Sequence, residues 1–428
     1  MDRNSERHAG MLDPSFGEQG KAFPDNGETV NGVNVTPANH VLLAGQRAND
    51  YMIIRLQSNG RTDPSFGQNG IVTGKFQKGF VSIGLSASMT NDGRILLAGR
   101  YSKPGDISGS PALARHHQDG SLDTSFGDQG TLVIRYPIKP YETDARSTQT
   151  DGQSATVGMD KTLLLPDGKI LVVSTHSFDY STFVGVLARL NPDGSFDESF
   201  NDGKGFTVVK YQNYSTQLST FLQQPDGNII VAGIASMPNG SSALVARINA
   251  DGTLDTHFGE SGFFLIRASE ERSTWIQTLA LQSNGSIIAA GFLGGDGIPL
   301  RCMLLGLTAS GTFDPLFNKG QPLITQEDEH QLGSQWLCVA TQPDSKIVVQ
   351  GNTFGGAESD VILRRYSALG EPDLDFGDQT GLVRTEVGDF VDMGSSMTLD
   401  GTRIVVAGTY IKDANNVDFR PFALRYLA

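Results

Sequence analysis

Short apolar runs recur along the chain, each entered by a polar turn: NDGRILLAG, PDGKILVVS, PDGNIIVAG, SNGSIIAAG, PDSKIVVQG and DGTRIVVAG, with PANHVLLAG at 37–45 as a degenerate first copy. Runs of four or five residues are too short for helices. Their apolar residues are successive rather than alternating, which predicts strands covered on both faces. Asp-Gly or Asn-Gly leading into β-branched residues predicts a hairpin at each entry. A second class of short strand closes each unit at a turn, as in YMIIRLQSNG, GVLARLNPDG, ALVARINADG and finally FALRYLA. Helical periodicity is not apparent anywhere.

Between these strands lies a third phrase, LDPSFGEQG at 12–20, returning as TDPSFGQNG and LDTSFGDQG. Aligned on its Phe, it recurs at Phe16, Phe66, Phe126, Phe200, Phe258, Phe317 and Phe376. The intervals are 50, 60, 74, 58, 59 and 59 residues, so a unit of roughly sixty repeats over the whole chain. The residue after each Phe is Gly or Asn, the pair expected where the backbone is held at positive φ. With about four antiparallel strands per unit, the repeat predicts an all-β, seven-bladed β-propeller. Residues 12–428 form one domain in this reading, behind a flexible tail at 1–11. The early LDPSFG would then close the ring beside the C-terminal strand, although the strand phase at that closure is left open.

Together, LDxSFG, PDGKILxxG and AxxRLNxDG resemble the bacterial delta-sixty repeat. That resemblance covers residues 12–428 and implies a bacterial source and a propeller-like array. It implies no reaction and no catalytic residues.

An arginine stands eight residues before the phrase aspartate in five copies: Arg55 and Asp63, Arg115 and Asp123, Arg189 and Asp197, Arg247 and Asp255, Arg365 and Asp373. Gly306 replaces it in a sixth. Arg425 has no aspartate following it and could reach Asp13, beside Phe16, only if the termini meet. A fixed spacing inside one supersecondary unit predicts a structural pair tying a strand end to its turn; the rival reading is a ring of repeated ligand sites.

The hairpins and the LDxSFG phrases fall on one end of the strands and repeat closely. The opposite end carries loops that differ in every copy, among them QRAND, THSFDYST and FLGGDGIP, as suits recognition on a rigid scaffold. The longest departure is the insertion at 135–153, with Tyr136, Tyr141 and Arg146 as candidate contacts. Trp275 and Trp336 open corresponding strands and are candidates for an aromatic platform, against packing between blades.

Composition narrows the partners. Thirty-three Lys and Arg against 47 Asp and Glu give a net charge of −14, with no basic stripe, so nucleic acid is not an expected partner. No apolar stretch is long enough for a spanning helix and the N-terminus lacks the apolar core of a secretory signal, so cytoplasmic residence is the default, with signal-independent export or surface association left open. Cys302 and Cys338 are the two thiols, too few for a disulfide framework, and whether they meet is open. Seven His form neither HxH nor HExxH, and no metal or other cofactor is expected. The expectation is a monomeric, non-enzymatic scaffold binding a protein or glycan through the variable end. The alternatives are a hydrolase or lyase centred on the channel, or a purely structural module.

Overall fold

The computed structural model describes residues 8–24, 29–103, 109–138, 161–178, 182–238, 240–266, 272–295, 298–327, 333–354, 359–377, 379–413 and 416–428. The fold is all-β and propeller-like, and its one helical segment among the described residues is a 3-10 turn at Phe317–Gly320.

A two-residue strand, β1 (Lys21–Ala22), comes first. A four-stranded sheet follows in chain order: β2 (Thr29–Val35), β3 (Val41–Arg47), β4 (Asp50–Leu56) and β5 (Ile71–Gly74). The same order holds for β6 (Val81–Met89), β7 (Ile95–Ser102), β8 (Ser110–His116) and β9 (Thr131–Val133). It holds again for β10 (Lys161–Leu164), β11 (Ile170–Ser177), β12 (Phe183–Leu190) and β13 (Phe206–Val209), and for β14 (Ser215–Gln223), β15 (Ile229–Met237), β16 (Gly240–Ile248) and β17 (Phe263–Ile266). Next come β18 (Ser273–Leu281), β19 (Ile287–Gly295), β20 (Ile298–Leu307) and β21 (Leu323–Thr325), then β22 (Gly333–Thr341), β23 (Ile347–Phe354), β24 (Val361–Tyr366) and β25 (Leu382–Thr385). A single parallel pairing of Leu300 with Gly333 joins these two groups. Last are β26 (Val391–Asp400), β27 (Arg403–Asp413) and β28 (Asn416–Leu427), with β1 as the fourth strand of their sheet.

This order settles the phase that the repeat leaves open. Each sheet takes three strands from one repeat and its fourth from the strand after the next LDxSFG phrase. β9, for example, pairs antiparallel with β8 through Ala112–Val133, Leu113–Leu132 and Ala114–Thr131. β1 likewise joins the last sheet, Lys21 opposite Leu424 and Ala22 opposite Ala423.

The second strands are buried almost throughout, as their successive apolar residues predict: Ile95–Gly99 in β7, all of β11, and Ile347–Thr353 in β23. First strands alternate instead, as in β2, β6 and β14. A bulge recurs in these first strands, at Gly84/Ser86, Leu218/Thr220, Trp336/Cys338 and Gly394/Ser396. It explains the glycine that ends four of the apolar runs. A Cβ on Gly99, Gly233, Gly351 or Gly408 would lie 2.1, 1.9, 1.8 or 2.0 Å from a carbonyl oxygen of the bulged strand. Only glycine admits that approach.

The chain forms two compact units. One comprises Met1–Leu43, Ile54–Pro64 and Thr278–Ala428; the other comprises Ala44–Ile53 and Ser65–Gln277. In the first, Val348, Leu363, Phe376, Val406, Leu424 and Tyr426 form one core, and Ile288, Leu304, Phe317, Trp336 and Ile362 belong to another. In the second, Leu187, Phe200, Val231 and Leu244 form one core, and Leu113, Phe126, Val172 and Val186 another.

Of the tail expected to be flexible at 1–11, residues 9–11 are hydrogen-bonded into the fold and residues 1–7 lie outside the described residues. Among its described residues, the Gly10 amide donates to the Leu427 carbonyl at 2.7 Å, and the Leu427 amide to the Met11 carbonyl at 2.9 Å. The Gly377 amide donates to the Ala9 carbonyl at 2.9 Å. Gly120 and His117 make the same pair of bonds to His117 and Ser121 within one continuous turn. Residues from both termini therefore build, inside the first unit, the turn that the other repeats make from adjacent sequence.

Candidate functional site

The charged residues of the repeat meet in space as their spacing predicts. Arg115 Nε donates to Asp123 Oδ2 at 2.7 Å, Nη2 to Ser125 Oγ at 3.2 Å, and Nη1 to the Pro192 carbonyl at 3.0 Å. Its guanidinium carbon lies 4.8 Å from the Phe126 ring centre. Arg189 repeats this with Asp197 (2.6 Å), Ser199 (3.2 Å), the Ala250 carbonyl (2.7 Å) and the Phe200 ring (4.4 Å). The other pairs are Arg55–Asp63 at 2.8 Å, Arg247–Asp255 at 2.7 Å and Arg365–Asp373 at 2.7 Å. Arg425 makes the same set across the termini: Asp13 at 3.0 Å, Ser15 at 3.0 Å, the Ser58 carbonyl at 2.5 Å and the Phe16 ring at 4.5 Å. Each arginine thus binds its own turn, and several of them also tie to the next repeat.

A second partner escaped the sequence reading. The residue after the hairpin turn also reaches the phrase aspartate: Arg94 to Asp123 at 2.9 Å, Lys169 to Asp197 at 2.8 Å, Lys346 to Asp373 at 3.0 Å and Arg403 to Asp13 at 3.2 Å. The signal was the recurrent Lys or Arg in PDGK, PDSK and NDGR. Where Gly306 replaces the arginine, Ser286 Oγ donates to Asp314 Oδ2 at 2.8 Å instead. A Cβ on Gly306 would lie 2.3 Å from Phe317 Cβ, so the ring occupies the space another side chain would need.

These contacts set the ionisation of the aspartates. Burial alone would raise the carboxyl of Asp123, but Ser125, Arg115 and their hydrogen bonds outweigh it and hold it at about 2. Asp13, Asp197, Asp255 and Asp373 are lowered against the same opposing effect of burial.

The candidate contacts at the loop end fare differently. Tyr136 is 7% exposed and its hydroxyl lies 2.9 Å from Ser174 Oγ, with the Phe206 ring 5.5 Å away. Trp336 is 1% exposed within the core of the first unit. Burial removes both from a surface role, and the pairing of Trp336 with Trp275 in an aromatic platform goes with them. Trp275 itself is half-buried on β18. Tyr141 and Arg146 lie outside the described residues. Cys302 and Cys338 are unbonded to each other; burial pushes the Cys302 thiol up, and its sulfur is 3.3 Å from Ser334 Oγ. Among the described residues, no group of three or more His, Cys, Asp or Glu is placed to hold a metal, and no helix is long and apolar enough to cross a membrane.

Residues 90–126, 165–200 and 224–258 match the sequence model of a family described as "Domain of unknown function (DUF5122) beta-propeller". Each match runs from a hairpin turn to a phrase Phe. The chain is similar to that family. No curated protein sequence matches it. Among solved structures, virginiamycin B lyase from Staphylococcus aureus is 11% identical, with a TM-score of 0.51, 95% of this chain covered and 98% of that one. Polysaccharide lyase Uly1 is 11% identical, with a TM-score of 0.53 and 96% and 92% covered. At that identity the likeness is one of fold, and it agrees with a β-propeller.

Proposed function

We propose that the chain is a binding scaffold: seven four-stranded blades of delta-sixty type, closed into a ring by the paired termini, recognising a protein or glycan through the loops opposite the hairpin turns. One observation carries this reading. The recurrent Arg and Asp side chains of the repeats are hydrogen-bonded within the fold, so they are poor candidates for a repeated ligand site. Recognition then falls to the residues that differ between copies, and those concentrate in the loops between second and third strands and between sheets. Half-buried Trp275 remains a candidate, as do Tyr141 and Arg146 of the insertion at 135–153, which lie outside the described residues.

One of the two-residue loops, Ala48–Asn49 between β3 and β4, supplies the test. Each longer loop between a second and a third strand is replaced by Ala-Asn, singly and together, and the variants are screened on a glycan array and by affinity capture. Ligands of the parent chain are expected to be lost with the circular dichroism unchanged. A ligand that survives all the replacements places recognition elsewhere.

A further inference from the structure

At the turn end of the second unit, a cavity of about 320 Å3 opens between the sheet β6–β9 and the sheet β10–β13. Its floor is apolar: Leu96, Phe126 and Ile170 are buried and Leu164 is half-buried. Two bonds brace the rim, Asn91 Nδ2 to the Pro166 carbonyl at 2.9 Å and Arg115 Nη1 to the Pro192 carbonyl at 3.0 Å. Arg115 is neutralised by Asp123, and Arg94 offsets Asp92, which leaves Asp167 as exposed negative charge on the rim.

The repeats provide their own control for that charge. In the second unit, every residue preceding the glycine of these turns is an exposed aspartate: Asp92, Asp119, Asp167, Asp193, Asp226 and Asp251. In the first unit, Asn59, Asn284, Ser310 and Leu369 hold four of the matching places and Asp400 another. The turn does not require the charge. Asn59 Oδ1 accepts the Arg61 amide at 3.0 Å and Asn284 Oδ1 the Ser286 amide at 2.9 Å, as Asp119 and Asp193 accept theirs at 2.9 Å. The carboxylates therefore exceed what the architecture needs; two of them, Asp92 and Asp167, line the apolar cavity, and Asp193 follows its lining residue Pro192, in a chain of net charge −14.

We propose that this cavity docks a partner polypeptide presenting one apolar side chain between basic residues. The volume lies at the small end of ligand pockets and suits a side chain of leucine or phenylalanine size. The flanking Lys or Arg would face Asp167 on the rim and Asp193 beside Pro192, giving orientation and fast, salt-sensitive association.

The test uses the full chain and fluorescent acetyl-Lys-Arg-Leu-Arg-Lys-amide, with counterparts carrying Gly for Leu or Glu for the basic residues, read by anisotropy at low and physiological salt. The leucine peptide is expected to bind about tenfold or more tighter than its glycine counterpart. Combining Asp92→Asn, Asp167→Asn and Asp193→Asn, which keeps an acceptor in each turn, should weaken it by about tenfold or more. Methyl resonances of Leu96, Leu164 and Ile170 should shift on binding. Equal affinity for the leucine and glycine peptides, unchanged binding by the combined variant, or displacement of the peptide by calcium or spermine at matched ionic strength would each overturn the proposal.

Discussion

At the scale of single residues, the phrase aspartates differ in what they neutralise, and that difference can be measured within one chain. Asp123 faces Arg115 and Arg94 and accepts the Ser125 amide and hydroxyl at 3.1 and 2.6 Å. Asp314 accepts the Ser286 hydroxyl and the Leu316 amide. Asp123→Ala leaves two cations without their carboxylate and is expected to lose about 3 kcal/mol. Asp314→Ala, at the same place in its turn, loses about 1 kcal/mol. Denaturant midpoints should rank them in that order, and equal losses would mean that the second cation adds nothing. Asp392 is the opposite case. It is 1% exposed, and burial, with Asp360 and Glu386 nearby, raises its carboxyl to about 6 despite hydrogen bonds from the Val387 and Gly388 amides. A raised folded-state value means stability that is full below the ordinary carboxylate value and is lost as pH rises through about 6. Asp392→Asn should therefore melt higher than the parent at pH 8, with the gain vanishing towards pH 4. For Asp123, held at about 2, the sign reverses: its contribution is full above the ordinary value and lost as pH falls through about 2.

At the scale of elements, the joint between repeats is a phenylalanine against a glycine. Phe16, Phe66, Phe126 and Phe200 are fully buried, and each lies against the turn glycine of the next copy: Gly60, Gly120, Gly194 and Gly252. A Cβ on Gly60 would lie 2.7 Å from the Gly17 amide nitrogen and 3.1 Å from the Phe16 ring. Gly285 has nearly the same conformation, φ 86° against 82°, with nothing within 4 Å of the added atom. Ala at either position meets the same backbone penalty of about 1 kcal/mol. Gly60→Ala should lose about 1–3 kcal/mol more through the close approach, and equal melting temperatures would remove the interlock from the account. The sequence announced this joint only in part. Recurrent Gly and Phe could be seen to mark a shaped turn, and the eight-residue spacing of Arg and Asp foretold a contact, because both depend on local geometry. Which strand completes which sheet depends on pairing with the preceding repeat. Local pattern carries no trace of that choice, so the phase stayed open. Tyr136 was misjudged for a related reason: it sits at the start of a long insertion but just past β9, still within reach of the core.

At the scale of the whole molecule, the turn shared by the two termini bears on the proposed ring. In a continuous repeat, two residues, Gln118 and Asp119, separate His117 from Gly120; Ala428 and Ala9 hold those two places between Leu427 and Gly10. Residue 9 was hard to assign from sequence, since Ala stands where most copies of the motif carry Asp or Asn and the arginine that should precede it lies at the other end of the chain. If the proposed closure is right, bonding Ala428 directly to Ala9 makes an ordinary repeat turn. The chain can then be opened elsewhere, for instance between Asp226 and Gly227 in the exposed β14–β15 turn. The exchange removes one turn connection and restores another of similar loop length, so the entropy of the unfolded chain changes little. The permuted protein should keep the parent's circular dichroism and melt within a few degrees of it. A control opened within β15, whose Ile229–Ala235 are buried, should fail to fold. If the turn-opened permutant also fails, or melts in two separate steps where the parent melts in one, the termini do not close a ring. The contacts of Arg425 with Asp13 and Phe16 would then stabilise only the first unit.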